Sequence, residues 1–465
     1  MSLSNWNGSN RCAPAATVTP RDLDELIAIV RDPAFPSPVR ALGELHSLNE
    51  SIETAGTAVF MTRFSKIDAP DRAQRRVTVG AGVRMIDLKN ALRAHGLQLP
   101  VVPEIGNATA GSVACCGTKD SSLGPNGRGQ ISSTVVAARL VRADGQTVHV
   151  TDRDALRLIR SSYGLLGIVY EVTFEVEERR RVWYSYERIT LDRWLETGRP
   201  LPPPDGPEIL GGADGFLGFL LPYRRQLIVE RRRVAARHRP VMVLDAVRLW
   251  LRTFAWMSGA RPFSAPLRLL PRPLRRLVIA AWVWALDHGF LKIFFLRVIS
   301  RFASYRADAM IDFKRPASSY FDFTFWAFPV SRWAEIVPAY LRFCERFRSE
   351  HAFRPTLPTE VYFIRRDDSA LLSFSPEEDI FTLGMVNWSD EEPAAWMAMN
   401  RAFNEFAARH GARPLLNQTK GLLPAVARQV WTPAWHALAD ARRTADPEER
   451  FLTPFFRGIL PGAGA

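Results

Sequence analysis

Three stretches of small residues in the first third of the chain constrain its fold most. They are Gly43-Glu-Leu-His46-Ser47-Leu-Asn49, Gly106-Asn-Ala-Thr109-Ala110-Gly111-Ser112 and Gly117-Thr118-Lys119-Asp120-Ser121-Ser122. A glycine followed by small polar residues suits a turn whose backbone N–H groups face a pyrophosphate. Recurring small residues also let the backbone approach a large planar ligand closely. Taken singly, each stretch is equally an ordinary glycine-rich turn. No GxGxxG follows a strand near the N-terminus, so a Rossmann-type site is not supported.

The chain around these stretches alternates between strand-like and helical runs. Helical spacing covers Asp22–Val30 and Met85–His95, and Val77–Gly82 is strand-like. Val135–Val141 and Thr147–Val150 flank Asp144-Gly145, a hairpin signal, and Ile168–Val176 alternates again. From about 303 to 415, strand-like runs (Tyr320–Phe328, Glu360–Arg365, Ile380–Trp388) alternate with helical runs (Ser331–Arg348, Ala394–His410). The expected fold class is α+β in both parts, with an antiparallel sheet covered by helices in the second. The chain's 465 residues fit about two to three domains. The expected division is 1–180, 181–223, an insert at 224–301, 302–420, and 421–465 returning to the first domain. The Pro-rich run 199–206 reads as a surface linker.

Cys12, Cys115, Cys116 and Cys344 lack metal-type spacing and read as reduced thiols, and the polar N-terminus shows no secretory signal. No metal site and no nucleic-acid motif is expected. The expected location is cytoplasmic, peripheral to a membrane.

In order, the small-residue stretches resemble the FAD-binding domain of the vanillyl-alcohol oxidase, or PCMH-type, flavoproteins. The resemblance includes Asn5-Trp6, the loop Gly43–Asn49, Thr78–Gly82, Leu99-Pro-Val-Val-Pro-Glu-Ile-Gly106 and Gly164-Leu-Leu-Gly167-Ile168-Val. The first loop is similar to the Gly-x-x-His-Ser-x-Asn of sugar-lactone and alditol oxidases, and Asp446-Pro-Glu-Glu-Arg-Phe-Leu-Thr-Pro454 to their C-terminal signature. The resemblance implies a bound FAD. It places Gly43, His46, Ser47, Asn49, Gly106, Thr109, Ala110, Gly111, Ser112, Gly117, Thr118, Ser121, Ser122, Gly167 and Ile168 at the cofactor. In the resembling oxidases the histidine at position 46 bonds covalently to the flavin 8α-methyl; the alternative is a loop hydrogen bond. Those oxidases carry Thr-His-Gly where this chain has Thr118-Lys119-Asp120, and the run 99–104 with Ser121-Ser122 resembles sterol side-chain reductases of the same superfamily.

Flavin chemistry needs a group to handle a proton and benefits from a cation near the developing negative charge. The resemblance assigns the cation to Lys420, with a surface lysine as the alternative. It makes Glu360 a substrate-site carboxylate, with Tyr362 on the same strand face by period-2 alternation. An arginine of the relatives is replaced by Tyr362, and a histidine by the apolar region around Met385. Fewer polar groups imply a less polar substrate, since a polyol would leave hydroxyls unpaired.

Residues 224–301 contain 17 Arg and Lys against Glu230, Asp245 and Asp287, an excess of 14 in a chain of net charge +13. The same stretch holds Trp250, Trp256, Trp282, Trp284 and many aliphatic residues, broken by Pro262, Pro266, Pro271 and Pro273. This composition suits an interfacial anchor on an anionic leaflet; the alternative is a helical cap with snorkelling arginines. The clean apolar run Leu277–Leu286 is too short to span, and Asp287, His288 and Lys292 interrupt the residues after it. The expected function is an FAD-dependent oxidoreductase at a membrane, acting on a lipophilic substrate by hydride transfer, with its electron acceptor undefined. The alternatives are a soluble aldonolactone or alditol oxidase using O₂, and an inert flavin-binding scaffold.

Overall fold

The computed structural model describes residues 2–124, 127–197, 207–235, 242–258, 269–312, 321–388 and 392–462. The expected linker 199–206, and Pro262 and Pro266, lie outside the described residues.

The first domain has two layers of strands. A parallel three-stranded sheet contains β1 (Ala16–Val18), β2 (Val39–Leu42) and β3 (Thr57–Phe60), with β3 in the centre. An antiparallel four-stranded sheet runs in the order β4 (Arg76–Gly80), β7 (Ile168–Glu175), β5 (Val135–Val141), β6 (Thr147–Val150). The β5–β6 hairpin matches its sequence signal, with Gly145 supplying the positive φ of +82°. Helix α1 (Leu23–Arg31) starts where Asp22 accepts a 2.9 Å bond from the Glu25 amide. Helices α2 (Met85–Ala94) and α3 (Ala110–Cys115) pack on the four-stranded side.

The second domain is an eight-stranded antiparallel sheet. Its strands are β8 (Arg181–Thr190), β9 (Gly215–Leu221), β10 (Gln226–Val234), β11 (Arg301–Tyr305), β12 (Phe321–Pro329), β13 (Thr359–Ile364), β14 (Ile380–Trp388) and β15 (Arg413–Pro414). They lie in the order β11-β8-β10-β9-β13-β14-β12-β15. Alternation sorts the side chains into two faces. Phe216, Val229, Val361, Phe381 and Met385 pack on one face with the helices Trp333–His351 and Pro393–Arg409. Leu217, Ile228, Phe323, Phe325 and Tyr362 form the other face.

The insert covers that second face. Helix α4 (Val243–Ser258) packs by the edge strand β11. Helix α5 begins at Arg272 and continues through wider turns to Ile299 without a break, so Asp287, His288 and Lys292 do not interrupt it. Asp287 turns inward to Arg354 at 2.8 Å. Ile279, Val283, Leu286, Leu291, Phe295 and Ile299 form its buried stripe, and Phe295 stacks on Phe219 at 4.8 Å.

The expected insert starts too early. Residues 226–234 are an interior strand of the sheet, not part of a basic surface helix. Arg231 pairs with Glu187, while Arg232 is buried against Asp120 and Glu230, both at 2.8 Å. Composition alone cannot show that successive arginines of a run have acidic partners on other strands and loops.

The C-terminal signature closes the chain on the first domain. Asp446 accepts the amides of Arg450 and Phe451, and this turn aims the Arg450 guanidinium at α1. Arg450 donates to the carbonyls of Val30 (2.8 Å), Ile29 (2.9 Å) and Asp32 (3.0 Å), satisfying orphan acceptors at the helix end.

Removing Arg232 leaves Asp120 and Glu230 each short of a buried counter-charge. Arg232→Met should therefore cost about 3–5 kcal/mol of unfolding free energy in denaturant titrations. A loss below about 1 kcal/mol, the scale of a surface pair, would show that the network does not hold the fold.

Candidate functional site

Between the two domains lies a cleft of about 1650 Å³ counting its open mouth. The Gly43–Ser47 turn forms one wall. Its approach to the second small-residue stretch requires glycine, because a Cβ at Gly43 would lie 2.2 Å from Thr109 Oγ1. Asn5 and Trp6 hold the turn from outside: the Trp6 amide donates to Leu45 O, and Asn5 Nδ2 to Ser47 O. Leu45 takes a left-handed φ of +54°, and His46 follows it into the cleft beside Trp6.

Of the expected cofactor residues, Gly43, His46, Ser47, Thr109, Gly111, Ser112, Thr118 and Gly167 line this cleft. The others do not, each for a visible reason. Asn49 pins the loop to the substrate side, donating to Leu416 O and accepting from the Ser51 amide. The Gly106 amide is bound by Ile311 O, and that of Ala110 by Val83 O. Gly117 packs on Phe374. Ser121 accepts from the Phe216 amide and Ser122 from the Arg365 amide, which fastens the third stretch to β9 and to the end of β13. Ile168 sits in the core of the first domain.

Lys420 also lies elsewhere than the sequence suggests. It is ion-paired with Asp322 on the helix-covered face, where Asp322 also accepts from Trp396 Nε1. Phe323 and Phe325 alternate with Asp322 and face the cleft instead. Met385 likewise belongs to the helix-covered face. Gly384 is on the cleft side, cross-strand from both Glu360 and Phe325. A Cβ at Gly384 would lie 1.9 Å from Phe325 Cε1, so the missing side chain is what admits that ring.

Glu360 and Tyr362 do line the cleft, and two residues not expected there join them: Lys119 and Glu104. The Lys119 ammonium lies 3.5 Å from the Tyr362 ring centre and 4.0 Å from that of Phe325. Burial lowers its pKa, against the pull of Glu360, Glu104 and Asp120. Burial pushes the Glu360 carboxyl up to about 7, with Lys119 opposing the rise and Glu104 adding to it. Tyr362 Oη donates to Glu104 Oε2 at 2.9 Å, and Glu104, partly exposed, reaches Arg252 at 3.4 Å. The signal for Lys119 and Glu104 is a charge of each sign inside otherwise small or apolar stretches.

Residues 14–151 match the family described as FAD binding domain. This chain carries a PCMH-type FAD-binding domain. The L-gulono-1,4-lactone dehydrogenase of Mycobacterium tuberculosis is 30% identical over 226 residues, 47% of this chain and 49% of that protein. The chain thus spans about half the length of the first curated relatives it matches. The L-gulonolactone oxidase of Scyliorhinus torazame is 23% identical over 97% of each chain. Among solved structures, a solvent-stable cholesterol oxidase shares the fold with a TM-score of 0.70, at 16% identity over 98% of this chain and 97% of that one.

The residues present fit FAD. Among the described residues, the amides of Gly43, Glu44, Leu45 and Ser47 donate to no protein acceptor, which suits a phosphate-binding turn. When bound, FAD would supply the hydride donor or acceptor. The chain's own groups would manage the proton: Glu360 exchanges one near neutral pH, and Tyr362 links the cleft to the more exposed Glu104.

Glu360 should therefore be neutral below, and charged above, a midpoint near pH 7. A protonated-carboxyl infrared band should fade across that midpoint and be absent from Glu360→Gln. Lys119→Met should move the midpoint upward, because it removes the neighbour that favours the carboxylate. A midpoint near 4.5, the ordinary glutamate value, would place Glu360 in water.

Proposed function

We propose that this chain is an FAD-linked oxidoreductase that sits on an anionic membrane surface and takes a lipophilic substrate from it. One observation carries this reading. Among the described residues, 13 of the 14 large hydrophobic side chains left exposed lie between Met242 and Val298, on or beside α4 and α5. They include Val243, Trp250, Leu277 and Trp284. A soluble monomer rarely exposes so concentrated an apolar patch.

Charge supports the same partner. Arg248, Arg272, Arg275, Lys292 and Arg297 lie on these helices, while their acids, Asp245 and Asp287, are buried. Arg276 pairs with Glu392, and Arg252 is buried against Glu230. Each basic side chain near an anionic leaflet contributes about 1 kcal/mol. α5, at 28 residues, is long and apolar enough to cross a membrane. Its buried stripe is packed on the sheet, which favours lying in the interface over spanning it. The insert covers the sheet face that also lines the cleft, so an apolar substrate would have a short path from lipid to Glu360, Tyr362 and Lys119.

The test is flotation of the full-length protein with anionic vesicles. Wild type should float, less strongly at high salt, and a Trp250→Ser/Leu277→Ser/Trp284→Ser variant should stay below. If wild type remains soluble at low salt, a soluble aldonolactone or alditol oxidase becomes the better reading.

A covalent tether through His46 belongs to the same proposal. It rests on the position of His46 in the cleft wall, at the turn that suits a phosphate. Acid precipitation should leave flavin on the wild-type chain and none on His46→Ala. Complete release of flavin from wild type would remove the tether from the proposal.

A further inference from the structure

We propose that Arg40 is the counter-charge for the pyrophosphate of the bound FAD, acting together with the amide turn that begins three residues later. The inference rests on the FAD-binding domain and is independent of the membrane reading.

Arg40 lies on β2, where its neighbours Val39 and Ala41 face the core of the first domain. Its own side chain turns the other way and lines the cleft, although only 8% of the residue is exposed. The guanidinium donates through Nη1 to Tyr163 O and lies 5.7 Å from the Phe456 ring centre. Its Nε has no partner, and no carboxylate among the described residues pairs with it. The ionisable neighbours that act on it are Cys115 and Cys116. Burial pushes those thiols up to about 11 and about 12, so they are neutral at pH 7 and offer no counter-charge.

A buried cation without an anion is costly, and the cost falls when an anion binds. The cleft that Arg40 lines is the one walled by the turn whose Gly43, Glu44, Leu45 and Ser47 amides donate to no protein acceptor among the described residues. Of the parts of FAD, only the pyrophosphate is anionic, and an arginine fork with backbone N–H groups is a good donor set for it. Gly164 keeps the fork clear. It holds a φ of +78°, and a Cβ there would come within 3.3 Å of Arg40 Nη1.

The test uses the full-length chain carrying His46→Ala, so that flavin exchanges freely whether or not a tether forms. FAD and riboflavin are titrated by flavin fluorescence. Arg40→Met should weaken FAD by about 10- to 100-fold, the scale of one charge-assisted contact. Riboflavin, which lacks phosphate, should bind Arg40→Met as it binds the parent, and Arg40→Lys should recover part of the FAD affinity. Parallel loss of both flavins would mean that Arg40 only supports the fold, and unchanged FAD affinity would overturn the proposal outright. Should Arg40→Met fail to fold, the flavin-free parent decides: ADP should raise its Tm more than adenosine at the same concentration. Equal protection by the two would overturn the proposal, as would failure of either flavin to bind the parent, which would also remove the cofactor assignment.

Discussion

Two buried carboxylates, Asp120 and Glu230, hold the three parts of this chain together. Burial alone would neutralise both, but arginines more than offset it. Arg306 and Arg232 keep Asp120 well below the usual carboxylate range, and Arg252 and Arg232 hold Glu230 at about 2. Asp120 comes from the flavin domain, Arg232 and Glu230 from the middle of the eight-stranded sheet, and Arg252 from the insert helix. No pair of these parts can move without uncovering a charge in a place that water reaches poorly. A purely apolar seam would allow sliding; a hydrogen-bonded charge lattice fixes one register.

The cleft depends on that register. Asp120 and Lys119 are adjacent in sequence and point to different tasks: Asp120 to the arginines, Lys119 to the aromatic floor. Fixing Asp120 therefore sets where the ammonium sits. Glu104 repeats the arrangement, accepting from Tyr362 with one oxygen and facing Arg252 with the other. The ionisable groups of the cleft floor are thus an extension of the structural lattice, and their ionisation is tied to its geometry.

Much of this is legible in the sequence where a local rule decides the outcome. The β5–β6 hairpin, the start of α1 at Asp22 and the strands at 359–364 and 380–388 follow from turn chemistry, capping and alternation. The α+β class and the FAD-binding domain are also readable, because small-residue spacing is a property of the chain itself. Partnership is not. Lys420 and Lys119 are both single lysines beside a threonine, and only the fold shows that Asp322 takes the first while the second faces the cleft. The Arg231–Arg233 run reads as part of a basic insert because two of its three acidic partners lie far away in sequence, at 120 and 187. Nearly half of the expected cofactor residues are instead the struts of the site, with Asn49, Ser121 and Ser122 fastening loops to the second domain.

Gly384 and Phe325 occupy one volume between them. The ring lies where a side chain at 384 would begin, so bulk at one position excludes bulk at the other. The floor of the cleft beside Glu360 is consequently a single adjustable unit spread over two strands. Sequences related to this one should trade size between the two positions, keeping their summed volume while changing the depth and polarity of the floor. Substrate range in such a scaffold can then drift by paired exchange, with neither the sheet register nor the buried charge lattice disturbed.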